Sequence, residues 1–100
     1  MSYRINYSKV ISQANSISDN ASELATQIRI LEQIEQECTA VWKGQAANAF
    51  MAKVRALRNE MNITKNQIST LASTIKYCAD RIQYEDKRAE ELAATLKSGY

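Results

Sequence analysis

The sequence contains no proline and no histidine, and only two of its 100 residues are glycine. Proline and glycine punctuate loops and tight turns, so a chain nearly without them has few places to change direction. That excludes a β-sandwich, a barrel or a doubly wound sheet. Without histidine, no Ser/His/Asp or Cys/His nucleophile pair can be assembled, and the usual neutral-pH acid–base group is missing. No catalytic, cofactor-binding or metal-binding residue is expected, and the chain reads as non-enzymatic. Its two cysteines, Cys38 and Cys78, are too few for a disulfide scaffold and have no metal-ligand spacing. No apolar run approaches the roughly 18 to 20 residues that span a bilayer, so stable membrane insertion is not expected. Met1-Ser2-Tyr3-Arg4-Ile5-Asn6-Tyr7-Ser8 lacks the basic start, apolar stretch and small-residue cleavage site of a secretory signal.

The charges that are present nearly cancel: 13 basic residues against 11 acidic, a net of +2. So small a surplus gives no reason to expect nucleic acid as a partner. Its distribution is more informative. Residues 1–40 hold three basic and five acidic side chains, residues 41–80 six and two, and residues 81–100 four and four. An acidic half followed by a basic half suits two segments lying against each other. Hydrophobic residues at 45% and charged residues at 24% are ordinary for a folded chain.

After residue 45, apolar positions recur in alternating steps of four and three: Phe50, Val54, Leu57, Met61, Thr64, Ile68, Leu71, Ile75, Cys78, Ile82, and then Glu85, Ala89, Leu92 and Leu96. This is a helical heptad seam. The first half has its own seam at Val10, Ala14, Ile17, Ala21, Leu24, Ile28 and Leu31. Glu35 takes the next place, while Ile34, Cys38 and Trp42 carry the apolar stripe forward. Ser8 is the expected N-cap, and the alternation of Tyr3, Ile5 and Tyr7 suggests an extended lead-in. The one interruption holds the only internal glycine, Gly44. The expectation is therefore a single all-α domain: helix 1 over about 8–40, a turn at 41–45, helix 2 over about 46–96 and a flexible tail at 97–100. The two helices form an antiparallel hairpin whose pairing seam includes Leu24, Ile28, Leu31, Ile34, Val54, Leu57, Met61, Ile68, Leu71 and Ile75.

The arms are unequal, so residues 80–100 reach beyond the first helix. A two-helix hairpin wets both sides of its seam and is marginal alone. A second hairpin completing a four-helix-bundle dimer would cover it, either a twofold copy or a distinct matching chain.

Trp42-Lys43-Gly44, followed by Ala46 and Phe50 at the midpoint of a hundred-residue helical chain, closely resembles the WXG100 family, the small substrates of type VII (Esx) secretion systems found chiefly in Gram-positive bacteria and mycobacteria. The resemblance covers essentially the whole chain. It implies a helical hairpin that pairs with itself or with a paralogue, is exported folded without a cleaved signal peptide, and meets the secretion ATPase, in some cases with a larger co-secreted effector. Trp42 and Gly44 take the motif places, with Ala46 and Phe50 as packing positions. The family's second element, a tyrosine followed four residues later by an acid, is not matched: Tyr77 is followed at that spacing by Arg81 and Tyr84 by Arg88. Asp86 holds the acid's place, with Ile82 four residues before it. Such a departure favours a partner that carries the intact signal.

Tyr77, Arg81, Tyr84 and Arg88 lie on one stripe of the overhanging helix, and with Asp86 they form the candidate export or partner-docking face, since tyrosine and arginine are favoured interface anchors. Glu85-Asp86 and Glu90-Glu91 read as solvated charges. The cysteines read as small core hydrophobes too far apart to bridge within one hairpin, although an antiparallel dimer would bring Cys38 near Cys78 of the other chain. The alternative is a cytosolic coiled-coil adaptor with a chance Trp-x-Gly.

Overall fold

In the computed structural model, which describes residues 5–98, α1 runs Tyr7–Val41 and α2 runs Gln45–Ser98. The two pack antiparallel into a rod of 85 × 16 × 15 Å, and no strand occurs among the described residues. At 1.5 Å per residue the helices are about 52 and 81 Å long. The hydrogen bond from the Tyr7 phenol to Asp80 Oδ1 (2.6 Å) fixes where α1 ends along α2. Beyond about residue 81 α2 overhangs α1, as the unequal arms predicted, and among the described residues only the start of the first arm, Ile5 and Tyr7, lies beside Gln83 and Asp86.

The boundaries differ from expectation at both ends. Asn6 caps α1: its side-chain oxygen accepts from Lys9 N–H at 3.2 Å, and its carbonyl accepts from Val10 N–H at 3.1 Å. Asn is a stronger local cap than a serine already inside the first turn. Tyr7 is thus helical rather than part of a lead-in, and Tyr3 lies outside the described residues. At the other end α2 takes in Lys97 and Ser98, while Gly99 and Tyr100 lie outside the described residues.

The seam itself is the larger surprise. Lettering each helix as heptads, α1 buries its a row (Ala14, Ala21, Ile28, Glu35) and half-buries its d row (Val10, Ile17, Leu24, Leu31, Cys38), as the sequence indicates. On α2 the d row is the expected one: Val54, Met61, Ile68 and Ile75 are half-buried, and Ala47 ahead of them is buried. Its companion row is shifted by one residue. Met51, Arg58, Lys65, Ala72 and Ala79 face α1, whereas Phe50, Leu57, Thr64, Leu71 and Cys78 remain exposed. Ile34 on α1 is exposed as well. Leu57, Leu71 and Ile34 therefore stand outside the hairpin seam.

The physical reason lies in side-chain size. Among the described residues, five of the seven buried apolar ones are alanines: Ala14, Ala21, Ala47, Ala72 and Ala79. Two helices with no third layer bury most per residue when small side chains let the backbones approach closely. Arg58 and Lys65 are tolerated in the seam because their methylene stems cover apolar surface while the charged heads reach its edge. Large side chains at the inner position would hold the helices apart.

At the open end, the Tyr7–Asp80 bond raises the phenol's pKa above its ordinary value, first because the O–H donates to a carboxylate and secondarily through partial burial. A raised folded value means the contribution is complete below about pH 10 and is lost as pH rises through it. Circular dichroism between pH 9 and 12 should show fraying of the α1 start in the wild type and a flatter profile in Tyr7→Phe. Matching profiles would show that the bond does not hold this end.

Candidate partner-docking faces

The inner seam divides the hairpin's surface into two sides. In an antiparallel pair the g rows lie together on one side and the e rows on the other. The g side carries Ile34 and Val41 from α1 alongside Phe50, Leu57, Thr64 and Leu71 from α2, all exposed, Leu57 by 54% and Leu71 by 52%. The e side is polar, with Glu32 and Thr39 facing Arg55 across an open groove of about 580 Å³.

Under that groove sits an ion pair that sequence reasoning did not find. Glu35, only 8% exposed, receives Arg58 Nε at 2.5 Å and Nη2 at 3.5 Å, with Arg55 Nε at 3.8 Å. Hydrogen bonding to Glu35 holds the Arg58 guanidinium above its ordinary pKa, against the opposing effect of burial. The available signal was an acid on the α1 core row and an arginine on α2, in a chain whose halves carry opposite charge. The groove is open and already internally neutralised, so it offers no enclosed cavity for a small ligand.

The turn is built by its backbone. Trp42 N–H donates to Cys38 O at 2.8 Å, extending the last helical turn, and Lys43 Nζ donates to Thr39 O at 2.8 Å. Both satisfy carbonyls that a helix end leaves open. Gly44 has φ +117°, and Asn48 N–H donates to its carbonyl at 3.0 Å, opening α2. A Cβ at Gly44 would meet nothing within 4 Å. Glycine is therefore needed for the backbone angle alone, not for space. Gly44→Ala should cost about 1–2 kcal/mol in urea unfolding, and an unchanged midpoint would mean the turn relaxes to another angle. Trp42 and Phe50 pack with ring centroids 5.5 Å apart and planes tilted by 50°, both still about half exposed. Ala46, expected to pack, is exposed; its neighbour Ala47 is the buried residue.

A family model described as "WXG100: Proteins of 100 residues with WXG" matches residues 2–87. The chain belongs to the WXG100 family. A chance Trp-x-Gly is thereby removed, since the match extends far beyond the turn on both sides. No curated protein and no solved structure matched the chain. WXG100 proteins are small helical chains that generally pair with each other and leave the cell through type VII systems. No described helix of this member is long and apolar enough to cross a membrane. Among the described residues, no cluster of His, Cys, Asp and Glu is placed to hold a metal.

The overhang of this WXG100 chain splits the face expected there. Tyr84 lies between Arg81 and Arg88, whose guanidinium carbons stand 5.8 and 5.9 Å from its ring centroid, spacing that suits cation–π contacts. Arg81 also pairs with Glu85 at 3.4 Å. Tyr77, on the same f row, is 67% exposed. Asp86 belongs elsewhere: it is half-buried on the seam side, beside Ile5 and Tyr7. Helical rotation separates it from Tyr84 by more than half a turn. Cys38 is half-buried, but Cys78 is exposed on the g side rather than held in the core. Taken together, these surfaces offer two kinds of association, one apolar and broad, one aromatic and cationic.

Proposed function

We propose that this WXG100 protein is a non-enzymatic substrate or co-secreted, chaperone-like partner of a type VII secretion system, exported without a cleaved signal peptide, and that its mechanism is helix–helix association. It pairs through its g side with another hairpin of the family, either a second copy or a paralogue, into a four-helix bundle. The overhang then presents Tyr84, braced by Arg81 and Arg88, to the secretion ATPase, and a larger effector travels with some such complexes.

The observation that carries this reading is the inversion of side-chain size. Alanines fill the inner seam, while Phe50, Leu57, Leu71, Ile34 and Val41 face outward. The chain exposes 7832 Å², against about 5,700 Å² for a compact folded chain of its mass. An exposed apolar stripe of this extent on a small chain marks a protein interface. The test is detection of the intact protein in culture medium, with loss of that signal when the system's ATPase gene is deleted. Retention in the cytosol of both strains would instead favour an intracellular coiled-coil adaptor.

A further inference from the structure

We infer that residues 1–4 bind in cis along the overhang of α2 as a strap, with Tyr3 seated against Ala93 and Arg4 level with Asp86 and Glu90; this goes beyond the pairing and export reading and holds with or without it. The start of the first arm is already on that course. Asn6 has φ −81° and ψ 86°, so the backbone leaves the helical path there, and Ile5, one residue farther out, is half-buried although α1 has ended. It lies with Tyr7 in a shallow groove beside Gln83, Asp86, Lys87 and Glu90 of α2. The Tyr7–Asp80 bond sets the direction: Tyr7 is held at Asp80 and Ile5 reaches the 83–90 stretch, so each earlier residue comes farther out along the overhang.

Length and chemistry then select what meets what. An extended chain advances about 3.3 Å per residue and a helix about 1.5 Å, so Tyr3 comes level roughly four residues of α2 beyond Ile5. In an extended chain Tyr3 and Ile5 also share a face, the one turned to α2. Ala93 stands there, on the same row as Asp86 and one heptad beyond it, with no bulk to block an aromatic ring. Arg4, between the two, is within reach of Asp86 and Glu90, which give the groove two carboxylates against the single Lys87. The overhang also has a use for such a cover. Residues 82–98 stay helical past the end of α1, and a helix of that length in water is held mostly by packing and little by propensity. A strap on this side encloses Asp86 and leaves Tyr84 with its two arginines, about a quarter turn or more around the helix, open to a partner.

The experiment uses the full chain with Cys38→Ser and Cys78→Ser, so that added cysteines are the sole thiols. Under mild oxidation at low protein concentration, Tyr3→Cys with Ala93→Cys should close an intramolecular disulfide in high yield, read as a monomer lighter by the two thiol hydrogens and faster on nonreducing gels. Tyr3→Cys with Thr95→Cys, at a similar level but on the far side of the helix, should stay largely reduced. In the otherwise unchanged chain, Tyr3→Ala with Arg4→Glu should raise amide exchange across residues 87–94 by about threefold or more and leave residues 60–75 as they were. No cross-link at 93, equal cross-linking at 93 and 95, or unchanged exchange over 87–94 would overturn the strap. Neither readout involves a partner or export, so those results would leave the pairing and export reading standing, and a chain that is never secreted would leave the strap standing.

Discussion

Ala72→Leu should loosen the hairpin by about 1–3 kcal/mol in urea unfolding, whereas Leu71→Ala, one residue earlier, should leave the fold of the hairpin nearly unchanged. Residue 72 is 2% exposed in a seam lined by Ala14, Ala21 and Ala79, and three extra carbons there must push the helices apart along a contact with no other layer to absorb the strain. Residue 71 faces outward, so truncating it takes away little contact within the hairpin and acts on the pairing proposed above. The readouts separate accordingly: Ala72→Leu lowers the unfolding midpoint at every protein concentration, and Leu71→Ala lowers only its concentration-dependent part, since pairing stabilises the folded chain by mass action. If both substitutions behaved alike, the assignment of inner and outer rows on α2 would be wrong.

Arg58→Leu should be the more damaging single change near the turn, and Glu35→Leu together with Arg58→Leu should recover most or all of the loss. Removing the arginine leaves the Glu35 carboxylate in the seam with only Arg55, at 3.8 Å, still close. Stranding a buried carboxylate in this way costs on the order of 2–4 kcal/mol. Replacing both partners by leucine removes the desolvation penalty along with the attraction and adds apolar contact, which is often neutral or stabilising. What the double variant should lose is local definition: with no charged cross-helix pair left near the turn, the α1–α2 contact there should become more mobile, visible as broadened NMR signals around the turn. A double variant as unstable as Arg58→Leu alone would mean that Arg58 acts through its stem and not through its charge.

The two helices differ in how far their packing could be read in advance. On α1 the row Ala14, Ala21, Ile28 and Glu35 and the row Val10, Ile17, Leu24, Leu31 and Cys38 together form one continuous stripe, so the periodicity located it. On α2 two adjacent rows compete. One is Phe50, Leu57, Thr64, Leu71 and Cys78; the other is Met51, Arg58, Lys65, Ala72 and Ala79. By hydrophobicity the first wins, and by packing the second does. Nothing local to α2 says that its neighbour α1 presents alanines and an acid. The same limit hid the Glu35–Arg58 pair, whose partners are 23 residues apart, and it grouped Asp86 with Tyr84 although the helix places them on different sides.

Periodicity and one glycine made it legible from the residues alone that the chain is helical, that it reverses once at Gly44 and that its arms are unequal, all local properties; the Trp-x-Gly motif carried a resemblance to the WXG100 proteins, and the family match over residues 2–87 showed the membership. Which face of the second helix turns inward was decided only in the tertiary structure, because close approach of two helices favours small side chains over the most hydrophobic ones. That choice leaves the large side chains outside, where a partner can cover them.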